Sequence, residues 1–291
     1  MTIGGDAGAT AEISQPRQER QIELGSIQKT GLEDIQLVAF DLDDTLAPSK
    51  SAIDPTMARL LVHLAELVPV CIISGGRFEQ FQSQVLARIE EFREHKDSAS
   101  SEAFSRFHLM PTCGTQYYVW TAGQWSRLYS EDLPRGDKDQ IVQVLTAGAK
   151  SLGLWESRTW GPIIEDRGSQ ITFSALGQAA PAESKTAWDP HGVKKERLRA
   201  YAAERLPGLE VRSGGSTSVD VTRKGIDKAY GLMKIINRLG ITRTNVLFVG
   251  DRLDVGGNDY PVKAMGIRCV AVEKWQDTAI FIRGMIQTFT N

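Results

Sequence analysis

Short apolar runs and longer helical stripes alternate at both ends of this chain, and the two patterns predict different elements. Ile35 to Phe40 and Val68 to Ile73 are largely apolar runs, as expected of strands buried on both faces. Behind the first, Asp54-Pro55 supplies an N-cap and a first-turn proline, and Met57, Leu60, Leu61, Leu64 and Leu67 follow at helical spacing. Behind the second, Phe78, Phe81, Val85, Ile89 and Phe92 mark another helix. The same style returns at the end, with a helix over Ile226 to Leu239, strands over Val246 to Val249 and Ile267 to Val272, and a closing helix over Thr278 to Phe289. Alternation of this kind predicts right-handed crossovers and a parallel sheet.

The middle of the chain reads differently. Lys96 to Arg106 is polar and predicts a loop. Thr115 to Trp120 and Trp125 to Tyr129 flank Ala122-Gly123 as a hairpin. A helix over Gln140 to Leu152, a strand over Gln170 to Leu176, a long loop and a helix over Val193 to Leu206 follow. Leu209 to Arg212 and Thr217 to Val221 then flank Gly214-Gly215 as a second hairpin. The expected organisation is a small, polar tail over 1–31, an α/β core over 32–132 and 218–291, and an α+β insert over 133–217.

Composition narrows the function. The 291 residues are 41% hydrophobic and 24% charged, with 34 Lys plus Arg against 36 Asp plus Glu. That near-neutral balance gives no global attraction to nucleic acid or anionic membrane, so small-molecule chemistry is expected. No run approaches the ~18 apolar residues of a membrane span. The first residues lack the basic start and apolar block of a secretory signal. Three widely spaced cysteines, Cys71, Cys113 and Cys269, form no C-x-x-C pair and read as thiols in a reducing cytoplasm.

Polar constellations end the apolar runs, where an open parallel sheet places its ligands. Asp41, Asp43 and Asp44 follow the first run, Ser74 the second, and Gly250-Asp251 the run Val246 to Val249, while Lys228 opens the helix after Val221. Taken singly, such residues are turn formers, caps or solvated charges. Together, carboxylates crowded at one strand end must protonate or bind a cation. An oxygen-rich site suits Mg²⁺, and a hydroxyl with an ammonium suits phosphate oxygens. That set describes phosphoryl transfer through an aspartyl phosphate.

The motifs also carry a family resemblance. Asp41-Leu42-Asp43-Asp44-Thr45-Leu46, Ile72-Ile73-Ser74-Gly75-Gly76-Arg77, Gly225-Ile226-Asp227-Lys228 and Phe248-Val249-Gly250-Asp251 resemble, in order, the four motifs of the haloacid-dehalogenase-like phosphotransferases. The likeness runs from about Asp34 to the end. It implies a Rossmann-like doubly wound core with an inserted type-two, subtype B cap. Within that group the chain is most similar to the eukaryotic-type phosphomannomutases and sugar-phosphate phosphatases, through Leu46 to Lys50, Gly75 to Glu79, Gly214 to Asp220 and Gly256 to Asp259.

The resemblance implies roles. Asp41 would be the nucleophile and Asp43 the general acid and base, with Ser74 and Lys228 on the phosphoryl oxygens. Mg²⁺ would be held by Asp41, Asp251 and the backbone carbonyl of Asp43, with Asn258 and Asp259 supporting the metal or Lys228 from behind. Thr45, Lys50, Gly75, Arg167, Lys185, Ser218 and Asp220 would line the substrate. A mutase needs a second phosphate site, which this family builds largely from cap arginines. Arg167 keeps one such position, but Gln178 and Lys185 stand where two others are expected, and Lys50 replaces an arginine of the core. Lost bidentate contacts weaken a phosphate clamp. The expectation is therefore a Mg²⁺-dependent phosphatase acting on a small phosphorylated metabolite, with a hexose-phosphate mutase as the alternative. A non-catalytic phosphate- or metal-binding module is the third reading, and it leaves Asp43 without a purpose. The mutase relatives pair through their caps, so a monomer and a cap-mediated homodimer are both compatible with the resemblance.

Overall fold

The computed structural model describes residues 32–94 and 99–290; the expected tail over 1–31 lies outside them. In chain order the strands are β1 (Leu37–Phe40), β2 (Val70–Ile73), β3 (Phe107–Met110), β4 (Gln116–Thr121), β5 (Gln124–Ser130), β6 (Ile164–Asp166), β7 (Gln170–Ser174), β8 (Leu209–Ser213), β9 (Ser218–Arg223), β10 (Val246–Gly250) and β11 (Arg268–Ala271). The helices are α1 (Pro55–Leu67), α2 (Phe78–Phe81), α3 (Ala87–Glu94), α4 (Ala99–Ser105), α5 (Arg135–Ser151), α6 (Ala182–Trp188), α7 (Val193–Arg205), α8 (Lys228–Leu239), α9 (Tyr260–Ala264) and α10 (Trp275–Thr290).

Two sheets result. The larger has the order β11-β10-β1-β2-β3-β4-β5, parallel from β11 to β3 and antiparallel beyond it. Alternation along β1 divides its core in two. Val38 and Phe40 join α1 and α10 on one face, while Leu37 and Ala39 join Leu232, Ile235 and Ile236 of α8 on the other. Helices therefore cover both faces, which is why the strands read as continuous apolar runs. Because β1 sits between β2 and β10, its carboxyl end is a crevice where connections leave in opposite directions.

The smaller sheet, β6-β7-β9-β8, is antiparallel and buries one face under α5 and α7. Ile171, Phe173, Val211, Val219 and Val221 form that apolar face. The intervening residues are polar: one row across the sheet reads Glu165, Thr172, Asp220, Arg212. Period-two alternation thus makes a roof that is apolar outside and polar inside.

Three expectations need correction. The boundary at 217/218 falls inside the second hairpin, because Ser218–Arg223 pairs with β7 and β8 and the chain returns to the larger sheet only afterwards. The expected polar loop carries α4, where buried Ala103 and Phe104 provide an apolar anchor and Phe104 meets Trp120 edge-on at 5.2 Å; residues 96–98 lie outside the described residues. The long loop after β7 contains α6, and β6 precedes β7. The first hairpin forms as expected, with Ala122 and Gly123 both at positive φ, 52° and 78°, as a tight turn between twisted strands requires.

Candidate active site

The site is built at the carboxyl ends of β1, β2 and β10. Asp41 follows β1 directly, and its backbone N–H bonds Val249 of β10 at 3.0 Å. Asp251 follows β10, which brings the two aspartates to the same edge. Lys228 is the first residue of α8, whose N-cap Asp227 accepts from Tyr230 N–H at 2.9 Å. Its Nζ lies 2.5 Å from Oδ1 of Asp41 and 2.5 Å from Oδ1 of Asp259. Asp259 is fully buried, and Gly250 leaves it room: a Cβ there would stand 2.4 Å from Oδ2.

Charge is out of balance at this point. One oxygen each of Asp41, Asp251 and Asp259 falls within 4.8 Å of the others, with a single ammonium among them. Burial, and then Asp259, drives the Asp41 carboxyl far above the usual range, although Lys228 pulls it back. Asp251 is raised for the same two reasons. Burial opposes the charge on Lys228, but Asp41 and Asp259 more than offset this and hold its ammonium above the usual range. An all-oxygen set with uncompensated negative charge fits a hard divalent cation. Asp259 contacts Lys228 and also joins the carboxylate cluster, whereas Asn258 is exposed.

Hydroxyls complete the centre. Ser74 is buried at the end of β2, and its Oγ accepts from Gly76 N–H at 3.1 Å, leaving its proton free to donate. Thr45 is fully buried with no partner for Oγ1. A buried hydroxyl without a bond is costly unless a ligand satisfies it.

Asp43 departs from this cluster. Its carboxylate receives Lys50 Nζ at 2.5 Å, Lys50 N–H at 2.8 Å, and the amides of Gln80 and Gln84 at 3.2 Å each. Burial works against its charge, but Lys50 first, and then Gln84, hold the carboxyl below its ordinary range. Gln80 and Gln84 lie four apart on one helical stretch, a spacing that could have flagged them had the acceptor been known.

Lys50 opens onto a cleft of about 250 Å³ between the sheets, lined by Arg77, Gln80, Gln84, Glu165, Arg167 and Gln178 among others. Arg167 donates through Nε and Nη2 to Oε2 of Glu165 at 3.2 and 2.8 Å, and through Nη1 to the carbonyl of Gly75 at 3.3 Å. Arg77 lies 3.6 Å from Glu79. Lys185 donates to the carbonyl of Gln178 at 2.7 Å, and burial, then Lys50, depresses its ammonium. Lys50 and Arg167 line the cleft, and Lys185 reaches its edge through Gln178. Glu165, which the sequence reading passed over, lies on β6 two residues before Arg167, just past the strand's end. Ser218 and Asp220 lie on the polar face of the smaller sheet.

A parallel sheet with its aspartates at the β1 and β10 ends, a lysine opening the next helix and a second sheet as roof define a haloacid-dehalogenase-like fold. Solved structures agree: an IMP-nucleotidase of Plasmodium falciparum superposes at TM-score 0.68 with 16% identity, covering 91% of this chain and 74% of that one. A haloacid dehalogenase-like hydrolase of Bacteroides thetaiotaomicron gives TM-score 0.55 with 18% identity, covering 86% and 98%. The chain belongs to the eukaryotic phosphomannomutase family, whose model matches residues 142–288, just over half of its length. Human phosphomannomutase 1 is 28% identical over 235 residues, 78% of this chain and 83% of that protein. No helix among the described residues is long and apolar enough to cross a membrane.

Proposed function

We propose that this chain transfers the phosphoryl group of a hexose phosphate through an aspartyl phosphate on Asp41, and passes it to a second hydroxyl of the sugar as the phosphomannomutases do. The observation that carries the reading is the buried contact of Lys228 with Asp41, 2.5 Å, in a chain whose residues 142–288, most of the roof and the second part of the core, match that family. Mg²⁺, held by Asp41, Asp251 and Asp259, would neutralise phosphate charge. Lys228 and the free proton of Ser74 would hold the phosphoryl oxygens while an Asp41 oxygen attacks phosphorus and the sugar oxygen leaves. Held charged by Lys50, Asp43 is prepared as the base for the incoming hydroxyl. To act as the acid it must leave that lysine and take up a proton.

One observation favours water as the acceptor instead. In the cleft Lys50, Arg77 and Arg167 each already face a carboxylate, Asp43, Glu79 and Glu165. Gln178 adds no charge, so a second phosphate would meet chiefly the ammonium of Lys185, itself bonded to the Gln178 carbonyl. The test is an assay with Mg²⁺ on hexose 1- and 6-phosphates, with and without a hexose bisphosphate, following isomer exchange and phosphate release together. Exchange dependent on the bisphosphate supports the mutase. Release without exchange selects hydrolysis, and loss of neither in Asp41→Asn removes both readings. A cytoplasmic location fits such a substrate.

A further inference from the structure

We infer that Gln84 is a positioning residue for Asp43: with the N–H of Lys50 it fixes Oδ1 of that carboxyl, and so sets Oδ2 as the oxygen that meets the sugar; this rests on the phosphoryl-transfer reading above. The two oxygens are held in unlike ways. Oδ1 accepts from Lys50 N–H at 2.8 Å and from Gln84 Nε2 at 3.2 Å. Oδ2 accepts from Lys50 Nζ at 2.5 Å and from Gln80 Nε2 at 3.2 Å. The donors to Oδ1 are tied down. Gln84 is buried, where the helix widens to π form over Gln82–Leu86, a widening frequent at functional sites. Its Nε2 also donates to the carbonyl of Ser51 at 2.8 Å, and its backbone carbonyl accepts from Ile53 N–H at 2.8 Å.

Both hydrogens of the Gln84 amide are spent on oxygens that only accept, so the amide cannot turn over. That orientation leaves Gln84 Oε1 buried and without a partner among the described residues, a cost the two donated bonds must outweigh. Lys50 aims its N–H from a φ of 60°, a left-handed conformation that is costly for a residue with a side chain. The donors to Oδ2 can leave. The Lys50 side chain is 41% exposed and Gln80 is half-buried, and both line the cleft. A phosphate entering the cleft competes for Lys50 Nζ and frees Oδ2, while Oδ1 keeps both of its donors. In the transfer step the proton on Oδ2 passes to the sugar oxygen as that oxygen's bond to phosphorus breaks and the bond from Asp41 to phosphorus forms. Oδ1 remains an acceptor before and after, so its two bonds hold the carboxyl in one orientation throughout.

The test compares Gln84→Met, which keeps the volume and removes the amide, on mannose 6-phosphate and on p-nitrophenyl phosphate, whose nitrophenolate leaves without a proton. The readout is kcat/KM, which covers the steps up to cleavage of the ester bond. Gln84→Met is expected to lower it about thirtyfold for the sugar phosphate, part of the ~10²–10⁴-fold that a placed acid contributes. For the aryl phosphate it stays within about threefold. In the Asp43→Asn background the same substitution should change the sugar value less than about twofold, because a carboxyl already lost cannot be misplaced. If Gln84→Met gives no cooperative melting transition, Gln84→Asn, which draws the amide back by one methylene, takes its place with the same expected split. A loss on the aryl phosphate as large as on the sugar, an unchanged sugar value, or losses that add in the double variant overturn the inference while Asp41-dependent turnover stands. No Asp41-dependent turnover of mannose 6-phosphate by the parent overturns the phosphoryl-transfer reading, and this inference with it.

Discussion

The reaction centre and the distal cleft differ in how their charges are matched. At the centre Asp41, Asp251 and Asp259 crowd around one ammonium in buried surroundings. In the cleft Lys50, Arg77 and Arg167 are matched one for one by carboxylates, and Lys50 and Arg77 are half-exposed. Excess negative charge in a buried place is unstable until a cation arrives, so the centre fits a divalent ion, which on the proposed reading would carry phosphate with it. Matched charge demands nothing, which leaves shape, hydrogen bonds and the ammonium of Lys185 on the Gln178 carbonyl as what the cleft offers a ligand.

The largest expected effect comes from removing the nucleophile. Asp41→Asn should lower turnover of a hexose phosphate on the order of 10⁴-fold or more, because on the proposed reading Asp251 and Asp259 hold the cation and Asp41 alone forms the acyl phosphate. Residual turnover within tenfold of the parent would break the distinction between centre and cleft. The charge imbalance has its own readout without activity. Millimolar Mg²⁺ should raise the melting temperature of the parent by several degrees, as linkage predicts for a cation bound only by the folded chain. Asp251→Asn should abolish that shift. Asp43→Asn should keep it, since the Asp43 carboxylate is turned to Lys50, Gln80 and Gln84.

How far each region could be read from the sequence follows the same division. Asp41, Ser74, Lys228 and Asp251 stand at the ends or starts of elements whose periodicity is local, so motif and position coincide. The cleft is assembled by pairing between distant segments. Thr172 and Asp220 are 48 positions apart and meet only through the register of β7 with β9. That non-local pairing also moved the boundary expected at 217/218. Glu165 looked like one acid in a polar stretch, because nothing local says that β6 exists or which face it turns inward. Where alternation was clear, as around Ala122-Gly123, the hairpin was legible.

A smaller effect is expected from putting charge back into the cleft. Gln178 lines it, and Gln178→Arg would add a guanidinium not assigned to any carboxylate. Affinity for a hexose bisphosphate should rise about tenfold, one bidentate contact's worth, with affinity for the monophosphate changed less than about threefold. Titration calorimetry in the Asp41→Asn background measures both without turnover. If the parent already binds the bisphosphate a hundredfold more tightly than the monophosphate, the cleft is not neutral towards anions, and the contrast with the centre fails.

The smallest effect sharpens the same contrast through stability. Glu165 and Arg167 form a pair with side chains only 8% and 9% exposed. Replacing Glu165 by Gln keeps the volume but leaves the guanidinium with a neutral amide and the carbonyl of Gly75. Breaking a buried pair from one side costs more than the pair contributes, because the remaining charge is stranded. A loss of about 2 kcal/mol, a few degrees in melting temperature, is expected. Inorganic phosphate should then bind the released Arg167 and restore part of the loss in Glu165→Gln, while shifting the parent less. Equal shifts in the two proteins would mean that Glu165 does not mask Arg167, and that the cleft was open to a second phosphate from the start.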